Sequence, residues 1–508
     1  MTIPWIHLQP SVAGFRERPR RDAKARRLDP GWERTRSNTF WRFGFFLSPL
    51  THRFLLGMIS AVTLNVAEAA SDPALDRKID ALFQTLGPDT PGAVVLVARA
   101  GKVEFCKAYG SADPESHMLM TADTRFRIGS LTKQFTAAAI LKLQEQGKLS
   151  VEDKLSRYFP GWPKSDEISL YHLLTHTSGI HDYTKKPDFA AQITQPITLE
   201  KLVRSFENDP NDFDPGKLFE YNNSGYVLLA AIIEKISGES YDAFLQQTFF
   251  GPLGMTHTGV ERAETSSDFK ARGYAFGSGA AHPAEVWNLE RLKGAGSLIS
   301  NAGDLFLWNE GIFGGKVLSK ETLKSAWTVG LVEGDDPTHP EETGYGFGWT
   351  IDHLGSEREI SHGGELAGFG SYLLRLPDLK VTVIVLLNCV LQMPGLHQWN
   401  LARSIAQLAI GTSRPEETPY TLSSDDAELI VGNYNMGHQM ILSVTCKGPR
   451  VFFHINDRPA TELLARSDRR FIAGNGEAEA TFVRNTGGQV VKAILKQAGG
   501  RIDAPKVP

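Results

Sequence analysis

Two blocks of strand-like sequence sit near opposite ends of the main body of this chain, and a lone hairpin is too small to hold itself together in water. The first block is Ala93-Val94-Val95-Leu96-Val97-Ala98, a Gly101-Lys102 turn and Val103-Glu104-Phe105, which reads as a hairpin. The second is Glu359–His362, Gly368–Leu376 and Val381–Leu387, three further strand-like runs. Between them the sequence turns helical. A helix is predicted from Ser130 to about Gln146, stopped by Gly147, with Phe135, Ala138, Ala139, Ile140 and Leu143 roughly at helical spacing and therefore buried. Leu170–His176, Leu199–Phe206 and Ser224–Ile236 are the clearer helices of the middle, and one around Trp399–Leu408 closes the unit. Strands at both ends with helices between predict an α+β fold, one sheet assembled from the two termini.

At 508 residues the chain is long for a single domain. Its hydrophobic share of 41% and charged share of 22% are those of a globular protein with a large core. A Thr/Pro/Glu-rich stretch, Gly411 to Pro419, reads as a linker. Beyond it Met440–Thr445 and Val451–Ile455 flank Lys447-Gly448-Pro449, and Ala480–Arg484 and Val490–Leu495 flank Asn485-Thr486-Gly487-Gly488. Short strands with glycine turns predict a small all-β module, a barrel or a sandwich. The expected organisation is a basic leader and signal peptide over 1–69, the main domain over 70–410, a linker over 411–424 and the all-β module over 425–508. Cys106, Cys389 and Cys446 lie far apart, with neither a disulfide framework nor a zinc-knuckle spacing.

Charge is distributed unevenly. Residues 1–69 carry eleven Lys/Arg and five Asp/Glu, a net of +6, which leaves about −10 on the remainder of a chain whose whole is −4. That negative balance argues against a nucleic-acid surface on the remainder. After Arg53 comes the apolar run Phe54–Leu64 and then Ala67-Glu68-Ala69, the signal-peptide order of basic flank, short apolar core and A-x-A site. The run is short for a permanent membrane span. Export with cleavage near Ala69/Ala70, to a periplasmic or secreted location, is the expectation; an uncleaved anchor is the alternative.

Three constellations carry chemistry. Ser130-Leu131-Thr132-Lys133 places a serine at a helix start, where N-terminal N–H groups favour negative charge, and a lysine one turn on. A serine is a poor nucleophile unless a neighbour takes its proton, and a lysine does so only if burial or another cation lowers its pKa. Ser267-Asp268-Phe269-Lys270 repeats the spacing among polar residues and reads as a solvated loop. Tyr221-Asn222-Asn223 supplies a phenol for proton transfer and an amide, Asn223, able to grip a substrate carbonyl. The same stretch also reads as a turn into a helix, with Asn222 or Ser224 as its cap, and the two roles are compatible. Third, His362-Gly363-Gly364 puts glycines where substrate can lie against backbone, and the N–H of Glu365 can complete an oxyanion hole. His257-Thr258-Gly259 matches the short pattern, but only His362 is followed by strand-like sequence.

Taken in order, S-x-x-K, Y-x-N and an H-x-G strand resemble the serine β-lactamase and penicillin-binding protein superfamily. The branch is that of class C β-lactamases, D-alanyl-D-alanine carboxypeptidases, D-aminopeptidases and related esterases. The flanks agree: Phe126-Arg127-Ile128-Gly129, Leu173-Leu174-Thr175-His176-Thr177-Ser178-Gly179, Pro252-Leu253-Gly254-Met255, Gly346-Phe347-Gly348-Trp349 and Gly364-Glu365-Leu366-Ala367-Gly368-Phe369. The likeness spans roughly residues 75–410 and implies an antiparallel sheet covered by helices. It also implies Ser130 as nucleophile, Lys133 and Tyr221 as its proton partners, and Asn223, His362, Gly363, Gly364 and Glu365 as substrate-binding positions. The last module resembles the β-barrel appendage of some of these hydrolases.

One departure bears on substrate. Many members have lysine where this chain has His362, and a neutral imidazole captures a substrate carboxylate less well than a fixed cation. Short esters or amides are therefore expected ahead of β-lactams. A D,D-peptidase or β-lactamase acting on cell-wall peptides, and a non-hydrolytic penicillin-binding sensor, are the alternatives. His172, His176 and His181 cluster in sequence, but no Glu follows His172 as in HExxH, and packing and turn hydrogen bonds account for them. The expected partner is a small-molecule or peptide substrate, with no metal, cofactor or nucleic acid, and membrane contact only through the export signal.

Overall fold

The computed structural model describes residues 72–261, 270–277, 280–330, 344–390, 397–412, 420–436, 441–456, 460–473, 479–485, 487–497 and 500–507. The predicted export segment, Ser267 and residues 413–419 of the predicted linker lie outside them. The two strand blocks meet in one seven-stranded antiparallel sheet. Its strands in chain order are β1 (Ala93–Arg99), β2 (Lys102–Tyr109), β3 (Gly344–Tyr345), β4 (Thr350–Leu354), β5 (Glu357–Leu366), β6 (Phe369–Leu376) and β7 (Val381–Leu387). In space the order is β3-β4-β5-β6-β7-β1-β2, so the hairpin closes directly on the last strand, with Ala93 opposite Leu387 and Arg99 opposite Val381. Every residue of β6 and β7 is buried. Both faces are covered, which is why these strands read as unbroken apolar runs rather than as alternation.

Five helices matter for the site: α1 (Pro73–Leu82), α2 (Thr132–Glu145), α3 (Asn223–Ser237), α4 (Ala302–Phe313) and α5 (Gln398–Ala409). Helices α1 and α5 cover one face, where Ile79, Leu401 and Ile405 pack with Val95, Val97, Val383 and Val385. On the other face α4 lies against β7 and β1, and the turn leading into α2 lies against β5 and β6. Helix α2 is buried almost all round, from Thr132 to Leu141 without interruption, rather than along one stripe. It starts two residues later than the sequence pattern predicts, because Gly129–Leu131 form a tighter 3-10 turn that carries Ser130. Strand β5 is pinned from behind: buried Glu359 accepts from Ser361 and Tyr372 at 2.8 and 3.1 Å and pairs with Arg403 of α5 at 3.1 Å. Side chains alternate along a strand, so anchoring 359 and 361 on that face turns His362 to the other.

After a short helix, Ser424–Ile430, eight antiparallel strands from Gly432–Asn435 to Gly500–Val507 close into a barrel, sealed where Tyr434 pairs with Lys506. Its interior is filled by Tyr434, Phe453, Phe471, Phe482 and Leu495, so it is a packed core and not a pore. No described helix is long and apolar enough to cross a membrane.

Candidate active site

The position of Ser130 follows from how closely two backbones approach. Gly129 has φ +50°, and a Cβ there would stand 2.7 Å from the Glu365 nitrogen. A Cβ on Gly364 would stand 2.0 Å from the Ile128 carbonyl oxygen. Only glycines let β5 lie directly on the turn before Ser130. The Ser371 hydroxyl of β6 donates to that same Ile128 carbonyl at 2.8 Å and fastens the contact. Glu365 is thereby brought beside the turn that carries the half-exposed Ser130.

One turn along α2, Lys133 is fully buried. Its Nζ lies 3.2 Å from Ser130 Oγ, 2.9 Å from Asn223 Oδ1 and 2.9 Å from the Ala295 carbonyl. Burial lowers the amine's pKa to about 7, against an opposing pull from Asp182. A neutral amine has two N–H groups and one lone pair. Two of the three neighbours, the amide and carbonyl oxygens, can only accept, so the lone pair is left for the Ser130 hydroxyl. The arrangement is that of a base facing its nucleophile.

The Tyr221 hydroxyl lies toward the Ser130 side chain, and burial pushes its phenol upward. Lys133 Nζ sits 4.6 Å from the centre of its ring, and the His176 ring lies 4.4 Å away on centroids. The next residue, Asn222, caps α3 by accepting from the Gly225 N–H at 2.8 Å, so the helix-cap reading of this segment holds. Asn223 is the first residue of α3, and both ends of its amide are engaged within the protein. Oδ1 faces Lys133, and Nδ2 donates to Asp182 Oδ2 at 3.1 Å.

His362 is buried, with Nδ1 2.5 Å from the Gly363 carbonyl and Nε2 2.8 Å from the Tyr345 hydroxyl. A carbonyl only accepts, so Nδ1 carries the proton and Nε2 accepts from Tyr345. Burial and the nearby Lys133 drive His362 down to about 3, so the ring is neutral at pH 7. His257 belongs elsewhere: its main-chain N–H donates to Asp304 at 2.7 Å, beside the short strand Gly259–Val260. The three clustered histidines also part. His172 shares a capping box with Ser169, His181 meets Asp212 at 2.9 Å, and His176 accepts from the Asn222 N–H at 3.0 Å. Among the described residues no three His, Cys, Asp or Glu side chains converge as a metal site. Lys270, which ends the second S-x-x-K copy, is tied to Glu261, and Glu261 also meets Arg127 at 2.6 Å.

Four groups at the site were not picked out as such from the sequence: Asp182, the Ala295 carbonyl, Tyr345 and the buried ring of His176. Tyr345 sits at the head of a Gly-aromatic alternation, Gly344 to Trp349, which is a visible signal. A main-chain carbonyl leaves none.

The beta-lactamase family model matches residues 77–407. The chain belongs to the beta-lactamase family. Penicillin-binding protein 4* of Bacillus subtilis (strain 168) is 29% identical to it over 432 residues, covering 80% of this chain and 93% of its own. The octameric penicillin-binding protein homologue from Pyrococcus abyssi shares the fold, with a TM-score of 0.62 at 24% identity over 85% of this chain and 99% of its own. The D-amino acid amidase from Ochrobactrum anthropi SV3, in complex with L-phenylalanine, matches with a TM-score of 0.58 at 25% identity, over 67% of this chain and 99% of its own. This beta-lactamase-family protein is a serine hydrolase, and its three motifs, spread over more than two hundred residues, converge around Lys133 and the turn of Ser130.

Proposed function

We propose that this protein is an exported acyl hydrolase that cleaves short esters or amides through a Ser130 acyl-enzyme. The observation that carries the reading is the buried Lys133 amine, held near neutrality at 3.2 Å from Ser130 Oγ. As Oγ attacks the substrate carbonyl carbon, its proton passes to Lys133 Nζ. The carbonyl oxygen becomes an oxyanion, received by the N–H groups of Ser130 and Glu365. Collapse breaks the bond to the leaving oxygen or nitrogen, which takes the proton from the Lys133 ammonium with the Tyr221 hydroxyl as relay. Water then attacks the acyl carbon, gives a proton to Lys133, and Ser130 departs and is reprotonated. Tyr221 remains a neutral phenol throughout, because burial opposes its ionisation.

Substrate class rests on His362. A neutral, internally hydrogen-bonded imidazole offers no cation to the carboxylate that penicillins and peptide C-termini present. The likeness to an amidase is consistent with amides among the substrates. The test is intact-mass analysis after incubation with an activated ester and with a penicillin, beside fluorophosphonate labelling of Ser130→Ala and Ser267→Ala. Rapid turnover of the ester, slow turnover of the penicillin and loss of labelling in Ser130→Ala alone are expected. Persistent labelling of Ser130→Ala would overturn the assignment, and a stable acyl adduct without turnover would make the protein a sensor.

A further inference from the structure

The mechanism above uses Lys133 but leaves unexplained what aims it. Asp182, at the start of the turn Tyr183–Lys185, is almost completely buried. Its two oxygens accept four hydrogen bonds. Oδ1 takes the Thr184 N–H at 2.9 Å and the Thr184 hydroxyl at 2.8 Å. Oδ2 takes the Asn223 main-chain N–H at 2.9 Å and the Asn223 side-chain Nδ2 at 3.1 Å. A carboxylate suits this convergence; an amide would turn its NH₂ on two of the donors.

The geometry points to Asp182 as a positioning residue that, through the Asn223 amide, aims the proton acceptor Lys133 at Ser130. This rests on the serine-hydrolase reading. Asn223 can present either end of its amide to Lys133. With Nδ2 given to Asp182, its oxygen faces Nζ at 2.9 Å and takes one amine N–H. The Ala295 carbonyl takes the other, and the lone pair is left on the Ser130 side. A flipped amide would set NH₂ against the amine and turn the lone pair away. The Thr184 hydroxyl, 3.4 Å from Nδ2, cannot choose between the two orientations, since a hydroxyl both donates and accepts. The logic is that of a catalytic triad, in which a buried carboxylate orients the base that serves the nucleophile.

The groups set against Lys133 are Asp182, the phenols of Tyr221 and Tyr226, and the imidazoles of His176 and His362. Burial keeps the phenols protonated and the imidazoles uncharged near neutrality. Asp182 is the group in this set whose charge opposes the burial of Lys133. Asn223 then serves the base through Oδ1 and is held by Asp182 through one of its two Nδ2 hydrogens.

The experiment is the second-order rate of fluorophosphonate labelling by the full-length protein, read by intact mass from about pH 5 to 10. In each event Ser130 Oγ bonds to phosphorus, fluoride leaves and Lys133 takes the proton. The probe has no acyl amide to grip. Asp182→Asn should still take one label at alkaline pH, with a plateau rate about tenfold lower or less and an acid limb moved down by about half a unit or more. Asn223→Ala keeps the main-chain bond to Asp182, and hence the start of α3, and should move the limb the same way. Wild-type limbs in both variants would overturn the proposal, as would an Asn223→Ala protein altered only toward amide-bearing substrates. If Asp182→Asn does not fold, Asn223→Ala decides alone. Failure of the wild-type protein to take a label on Ser130 would refute the hydrolase reading instead.

Discussion

Acylation should follow the titration of Lys133. Its amine receives the Ser130 proton only when uncharged, and burial brings it down to about 7. For a short-chain nitrophenyl ester, kcat/KM should therefore rise with pH and reach half its plateau near pH 7. Below that it should fall about tenfold per unit, to about 1% of the plateau two units lower. The direction is fixed by which form works: a base is lost on protonation, so the limb lies on the acid side. Competing origins are separable, because His362 is driven down to about 3, His176 lies well below the usual imidazole range, and Tyr221 is pushed up. None of them titrates near neutrality. His362→Gln should leave the limb in place, whereas Lys133→Arg, permanently charged, should abolish acylation. Stopped-flow release of nitrophenolate, corrected for its own ionisation, gives the profile. A limb near pH 4 to 5 would mean that a carboxylate is the base, and a limb that disappears in His362→Gln would mean that the histidine is. Either result refutes the reasoning.

Three further outcomes follow. His362→Lys should raise the ratio of cephalosporin to ester turnover about ten- to a hundredfold, the worth of one charge-assisted hydrogen bond, provided the lysine escapes the Tyr345 hydroxyl; efficient cephalosporin hydrolysis by the natural protein would refute the argument. Gly364→Ala forces a methyl to 2.0 Å from the Ile128 carbonyl and should cost about 3 kcal/mol in a urea titration and most of the labelling. Gly363→Ala, whose nearest neighbour is the Tyr372 ring at 3.2 Å, should be milder, and equal losses would show that the close approach to Ile128 is unimportant. N-terminal sequencing of protein from a cell-envelope fraction should find Ala70 or a residue within a few of it; a cytosolic protein retaining Phe54–Leu64 would contradict export.

Much of the fold was legible because burial writes itself into composition. Strand β7 was read with its observed limits, Val381–Leu387, since a strand covered on both faces is apolar throughout. Strand β5 was read short, as Glu359–His362, because Gly363 and Gly364 look like a strand end; here they mark a backbone contact inside a strand running to Leu366. In helix α2 the sequence points to burial of the apolar positions Phe135, Ala138, Ala139, Ile140 and Leu143, while Thr132, Lys133, Gln134 and Thr136 are buried as well. Polar side chains conceal burial unless their partners are known. Ser130 and Lys133 were legible because one helical turn joins them. Asp182 and Ala295 were not, since each reaches the site through a fold that brings residues 182, 223 and 295 to one amine.

The pairing of β1 with β7 also sets an order in time. Ala93 finds Leu387 only after about 290 intervening residues have been made, and such distant contacts close slowly. Ser130 and Lys133 emerge early, one turn apart, yet Glu365 and His362 arrive only with β5. On the proposed mechanism a growing chain holds Ser130 long before it holds the Glu365 N–H that would complete the oxyanion hole. It would then stay chemically quiet until the sheet shuts, however early the serine was made.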